Sequence, residues 1–89
     1  MRNEFEALLK EELRILALTT REQRQLKQKN MAEALMMNDT SYSDIETGTY
    51  MCGTLTAFLL LMMQPDPNRV LRTLEKKFRA MYERAMQPV

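Results

Sequence analysis

The chain has 89 residues, enough for one domain whose folding hides only about two-thirds of the unfolded chain's surface. Hydrophobic residues make up 45% and charged residues 28%, while two glycines and three prolines are too few for many short strands joined by turns, so the class is all-α. A formal net charge of +1 gives no overall electrostatic footprint for a polyanion, and a chain without histidine and with one cysteine lacks the parts of tight zinc sites and of Cys-His or Ser-His catalysis. No enzymatic activity, metal ion or cofactor is expected.

The opening stretch MRNEFEALLKEE interleaves acids with apolar residues, unlike a secretory signal. From Asn3 to Leu18, the residues Phe5, Leu8, Leu9, Leu13 and Leu16 follow the three-and-four spacing of one helix face. Thr19-Thr20 lowers helix propensity, and Thr19 with Glu22 can equally form a capping box, so the helix either continues to Arg24 or breaks there. A second helix spans Gln28 to Met36, with Met31, Ala32 and Leu35 on one face. After the polar interruption Asn38-Asp39-Thr40 comes a short helix carrying Tyr42 and Ile45, closed by Gly48 as a C-cap.

Thr49 to Cys52 reads as a linker, and Cys52 as a lone buried thiol of a reduced compartment. Thr54 to Met63 is apolar nearly all round, which fits either a central core helix or part of an interface. Its longest apolar run, Ala57 to Met63, is far too short to span a bilayer, so a soluble cytoplasmic protein is expected. Gln64-Pro65-Asp66-Pro67 stops this helix and starts the last one, at about 67–86, with Asp66 as N-cap and Pro67 in the first turn. Val70, Leu71, Leu74, Phe78, Met81, Tyr82 and Ala85 form its apolar stripe. No repeat or flexible linker divides residues 1–89 into two domains.

Charge is unevenly placed. Met1 to Asp66 carries seven bases against ten acids, whereas Pro67 to Val89 carries Arg69, Arg72, Lys76, Lys77, Arg79 and Arg84 against Glu75 and Glu83. A second basic group, Arg21, Arg24, Lys27 and Lys29, stands just before and within the second helix.

From Leu26 to Gly48 the chain resembles, without a gap, the helix-turn-helix unit of the lambda-repressor/Cro-like family. The matching positions are Leu26, Gln28, Met31, Ala32, Glu33, Leu35, Ser41, Tyr42, Ser43, Ile45, Glu46 and Gly48. Two short helices that cross steeply need a small residue where they touch, here Ala32, and apolar residues in the wedge, here Met31, Leu35, Tyr42 and Ile45. The resemblance implies a structural ion pair between Arg21 and Glu46. It also implies double-stranded DNA as the partner, with Asp39, Thr40 and Asp44 facing outward on the recognition helix and Gln28 reaching in beside them.

Lys27 and Lys29 are then expected on the phosphate backbone, and Gln28, Asn38, Thr40 and Ser43 near bases or phosphates. Two departures stand out. The family usually has glycine where Met36 stands, at a left-handed turn position that costs other residues about 1 kcal/mol, and Asn38 is the alternative residue for that conformation. The acids Asp39 and Asp44 can accept a hydrogen bond from cytosine N4 but are repelled by phosphate.

Other signals read as structure. Gly48 to Gly53 has the glycine spacing of a phosphate loop but lacks its lysine and follows no strand, and Asp39, Asp44 and Glu46 do not follow a calcium-loop spacing. Of the nine methionines, Met31, Met36, Met37, Met51, Met62 and Met63 are expected to pack inward. The last helix is longer than core closure requires, so Leu74, Phe78, Met81 and Tyr82 are expected to form a homodimer contact, with the recognition helices about 34 Å apart.

The expected architecture is a compact bundle of about five helices with the fourth packed centrally behind the helix-turn-helix. The expected function is sequence-specific regulation of transcription by operator occupancy. The alternative is a protein-interaction or antitoxin-like module whose acidic face meets a basic partner.

Overall fold

The computed structural model describes residues 2–87, which form five helices: α1 (Arg2–Gln23), α2 (Gln28–Ala34), α3 (Asp39–Glu46), α4 (Thr54–Met62) and α5 (Pro67–Met86). Among the described residues there is no strand. None of these helices is long and apolar enough to cross a membrane. The all-helical globule measures 48 × 27 × 18 Å, the long axis reflecting two long helices, α1 and α5, packed against each other.

The core is small and asymmetric. Leu13 and Ala17 of α1, Met31, Ala32 and Leu35 of the α2 region, Tyr42 and Ile45 of α3, and Leu60 of α4 are its buried apolar residues. Ala32 and Tyr42 are fully covered, and α2 and α3 pack against each other. Alpha-helix 2 has only seven residues and no side-chain cap, too little to persist alone, and its place is secured by Met31, Ala32 and Leu35.

The Thr19-Thr20 pair does not break α1. Thr20 is buried, and its hydroxyl accepts a hydrogen bond from Gln64 Nε2 at 2.8 Å, so a tertiary contact holds the helix through a stretch of low local propensity. Alpha-helix 5 begins as expected, with Asp66 accepting from the Arg69 amide at 3.2 Å and Pro67 in the first turn.

Helices α1, α2 and α3 end in the same way. At each end one amide reaches back five residues, from Leu26 to Arg21, from Met37 to Ala32 and from Thr49 to Asp44. The preceding amide reaches back three, which completes the Schellman closure, and the residue between, Gln25, Met36 or Gly48, has positive φ. Leu26 and Met37, the residues just past the first two closures, pack against the core and set the direction in which the chain leaves.

Several expectations are corrected. Asn38 does not take the left-handed conformation: its φ is −80°, and its side chain caps α3 by accepting from the Ser41 amide at 2.8 Å. Met36 itself takes it, at φ 57°, with its side chain exposed. Alpha-helix 4 is not central, since only Leu60 is buried while Leu55, Phe58 and Met62 face outward; Leu13 and Ala17 of α1 occupy the place behind the α2–α3 pair. Met36, Met51 and Met62 are therefore exposed, whereas Met31 is buried and Met37 and Met63 are half-buried against the core. Cys52 is half-buried.

Replacing Met36 with glycine removes the left-handed strain of a residue whose side chain has no core contact to lose. Its greater freedom in the unfolded chain offsets part of the gain. Met36→Gly is expected to raise the stability measured by urea unfolding by about 0.5–1 kcal/mol, and Gly48→Ala to lower it by about 1 kcal/mol.

Candidate nucleic-acid interface

The best-defined polar arrangement surrounds Glu46, in the last turn of α3. Its side chain is almost wholly buried, at 5% exposure, and meets the Arg21 guanidinium of α1 in a two-pronged contact, Nε to Oε2 at 2.6 Å and Nη2 to Oε1 at 3.0 Å. This is the ion pair that the resemblance implied. Arg21 Nη1 also donates to the Leu26 carbonyl at 3.3 Å, which ties the α1–α2 turn into the same cluster. Gln28, the first residue of α2, donates from Nε2 to Glu46 Oε1 at 2.8 Å. One carboxylate thus joins three helices.

A charge buried without partners would be very unfavourable, and this one is matched in charge and hydrogen bonding. Burial pushes the Glu46 carboxyl upward, but the Arg21 hydrogen bond, the neighbouring Tyr42 hydroxyl and the Gln28 amide outweigh it and hold its pKa below the usual carboxylate range. The Tyr42 hydroxyl lies beside the pair, buried and, among the described residues, outside full hydrogen-bond geometry with any group, and burial pushes its pKa far up.

Around this anchor lie the residues singled out for DNA. Lys27 and Lys29 are exposed and, among the described residues, have no carboxylate in salt-bridge range. Asn38, Asp39 and Thr40 are exposed at the start of α3, and Ser43 and Asp44 are half-exposed one turn later. Two of the set already have intramolecular work: the Gln28 amide is bound to Glu46, and Asn38 Oδ1 caps α3. Asp39 also has a local role, because a carboxylate in the first turn is favoured by the helix dipole.

The basic segment at the C-terminus is partly committed. Lys77 pairs with Glu12 of α1 at 2.7 Å, and Arg79 pairs with Glu75 on its own helix, while Arg69, Arg72, Lys76 and Arg84 have no carboxylate partner among the described residues. The stripe expected to form a dimer contact is shared with α1. Phe78 stacks on Phe5 with ring centroids 6.1 Å apart; Leu74 and Met81 are half-buried, and Tyr82 is exposed.

Sequence reading missed Thr20 and Gln64 as partners and the tie from Gln28 to Glu46. A lone threonine or glutamine carries no signal of which distant group it will meet.

Because the Glu46 pKa is depressed in the folded protein, its contribution to stability is present above the unfolded value near 4.5 and is lost as pH falls through the lower folded value. Unfolding free energy measured from pH 6 down to about pH 2 should therefore fall more steeply in the wild type than in Glu46→Gln. At neutral pH, Arg21→Ala leaves Glu46 buried without its cation and should cost about 2–4 kcal/mol in the same measurement, near the range for breaking a buried pair.

Comparison of the chain with models of protein families, with curated proteins and with solved structures finds no match in any of the three.

Proposed function

We propose that this protein is a sequence-specific DNA-binding regulator of transcription, with α2, the turn and α3 acting as a lambda-repressor-like helix-turn-helix and α3 as the recognition helix. It acts by occupying its operator as a homodimer, without a chemical step. The observation that carries this reading is the Glu46 cluster. Arg21 and Gln28 lock the end of α3 against α1 and α2, while Asn38, Asp39 and Thr40 at its start stay exposed. A rigidly held helix whose first turn is free is what insertion into a major groove requires.

In this mechanism Lys27 and Lys29 contact phosphates and set the register, with further positive charge from Arg24 and the unpaired cations of α5. Thr40 and Ser43 offer hydroxyls to bases or phosphates. Asp39 and Asp44 act as acceptors for cytosine N4 and reduce affinity for phosphate everywhere else, which favours selectivity over general DNA binding.

Those two acids also favour a second reading, in which α3 docks on a basic protein partner in the manner of an antitoxin-like module. Equilibrium binding to random-sequence duplex DNA at ~50 mM and ~200 mM salt, followed by selection of preferred sequences, separates the two. Salt-sensitive binding with a recovered half-site supports the regulator; no binding at the lower salt overturns it in favour of the protein-docking face.

The phosphate roles are checked separately by fluorescence anisotropy. Lys27→Ala and Lys29→Ala should each weaken binding to all sequences alike and flatten the plot of log affinity against log salt by about 1. An unchanged slope removes that lysine from the interface.

A further inference from the structure

We infer that the outer face of α4 is the surface on which a second copy of this chain docks, with Leu55, Phe58 and Met62 at its centre. These residues are 62%, 57% and 62% exposed, although nothing in α4 is charged. Spaced by three and four residues, they fall within about 60° of one another around the helix. Together they leave roughly 300–400 Å² of apolar surface in water, within the range of the largest patch on a monomer, which is often functional. Tyr50 and Met51, 64% and 41% exposed in the segment entering α4, extend it toward the roughly 800 Å² that each partner brings to a stable interface.

Charge identifies the occupant. Between Glu46 and Asp66 the sequence has no charged residue at all, so the face offers nothing to pair with a basic or acidic protein, a phosphate or a lipid headgroup. A two-fold contact sets identical surfaces against each other. On a charged face that would bring like charges together; on this one it buries only apolar groups, which are enriched in homodimer interfaces. The α5 face also leaves Leu71, Tyr82 and Met86 exposed, at 48%, 58% and 62%, but Glu75 and Arg79 stand among and beside them on the same face, so a purely apolar two-fold contact is less well served there. Alpha-helix 4 keeps Leu60, with Ala57, Leu59 and Met63, against the core, while Leu55, Phe58 and Met62 stay outside it.

This rests on the homodimer of the proposed regulator and specifies its contact; the test uses no DNA, so a dimer with another contact sinks this inference alone, and a dimer without DNA binding sinks the regulator alone. Sedimentation equilibrium of the full chain up to ~100 µM is expected to give twice the 10.5 kDa chain mass. Phe58→Lys and, independently, Met62→Lys each enter a symmetric contact twice and should raise the dimer dissociation constant by about 100-fold or more. Both sites are exposed, so the far-UV circular dichroism of each variant should match the wild type. Tyr82→Lys on α5 should leave the dimer intact. A monomeric wild type overturns the inference, as does a dimer that both α4 variants leave unchanged or that Tyr82→Lys alone disrupts. A monomer that co-floats with uncharged phosphatidylcholine vesicles also overturns it and assigns the face to a bilayer.

Discussion

One carboxylate organises the packing of α1, α2 and α3. Glu46 closes α3, and through it Arg21 of α1 and Gln28 of α2 are held to a common point. Buried ion pairs add little to net stability, because desolvation consumes most of the attraction. Their effect is on geometry: α3 cannot slide or rotate without leaving a buried charge unmatched. The apolar wedge of Met31, Ala32, Leu35, Tyr42 and Ile45 supplies cohesion, which is non-directional, and the Glu46 cluster supplies the orientation.

A second constraint is how the chain turns. Helices α1, α2 and α3 all end in a Schellman closure, but only the third has glycine at the left-handed position. At Gln25 and Met36 the strain is carried by ordinary residues, each followed by a side chain, Leu26 or Met37, that anchors the exit from the helix in the core. The burial of that next residue offsets the local strain. Tight turns then leave the start of α3 exposed on a fixed support.

The rest of the molecule is built more lightly. Alpha-helix 5 has no fully buried residue and joins α1 through half-buried side chains, the Phe5–Phe78 stack and the Lys77–Glu12 pair. Alpha-helix 4 gives one fully buried residue to the core and turns three large apolar ones outward. A chain of this length can cover only so much apolar surface with its own backbone. The uncovered remainder lies on the outer side of α4, with Leu55, Phe58 and Met62, and on α5, with Leu71, Tyr82 and Met86.

Much of this was legible in the sequence where a signal is local. Five helices in order, the start of α5 at Asp66-Pro67, the closure at Gly48 and the facing of Met31, Ala32, Leu35, Tyr42 and Ile45 follow from spacing and caps, whose physics involves residues within one or two turns. The Arg21–Glu46 pair was legible through resemblance. The tertiary structure alone decided the rest. A bond from Gln64 kept α1 whole across Thr19-Thr20, and the capping demand of α3 drew Asn38 away from the left-handed position and left it to Met36. It also decided which side of α4 stays uncovered: a helix that is apolar all round has no periodicity to read, and only its packed neighbours break that symmetry.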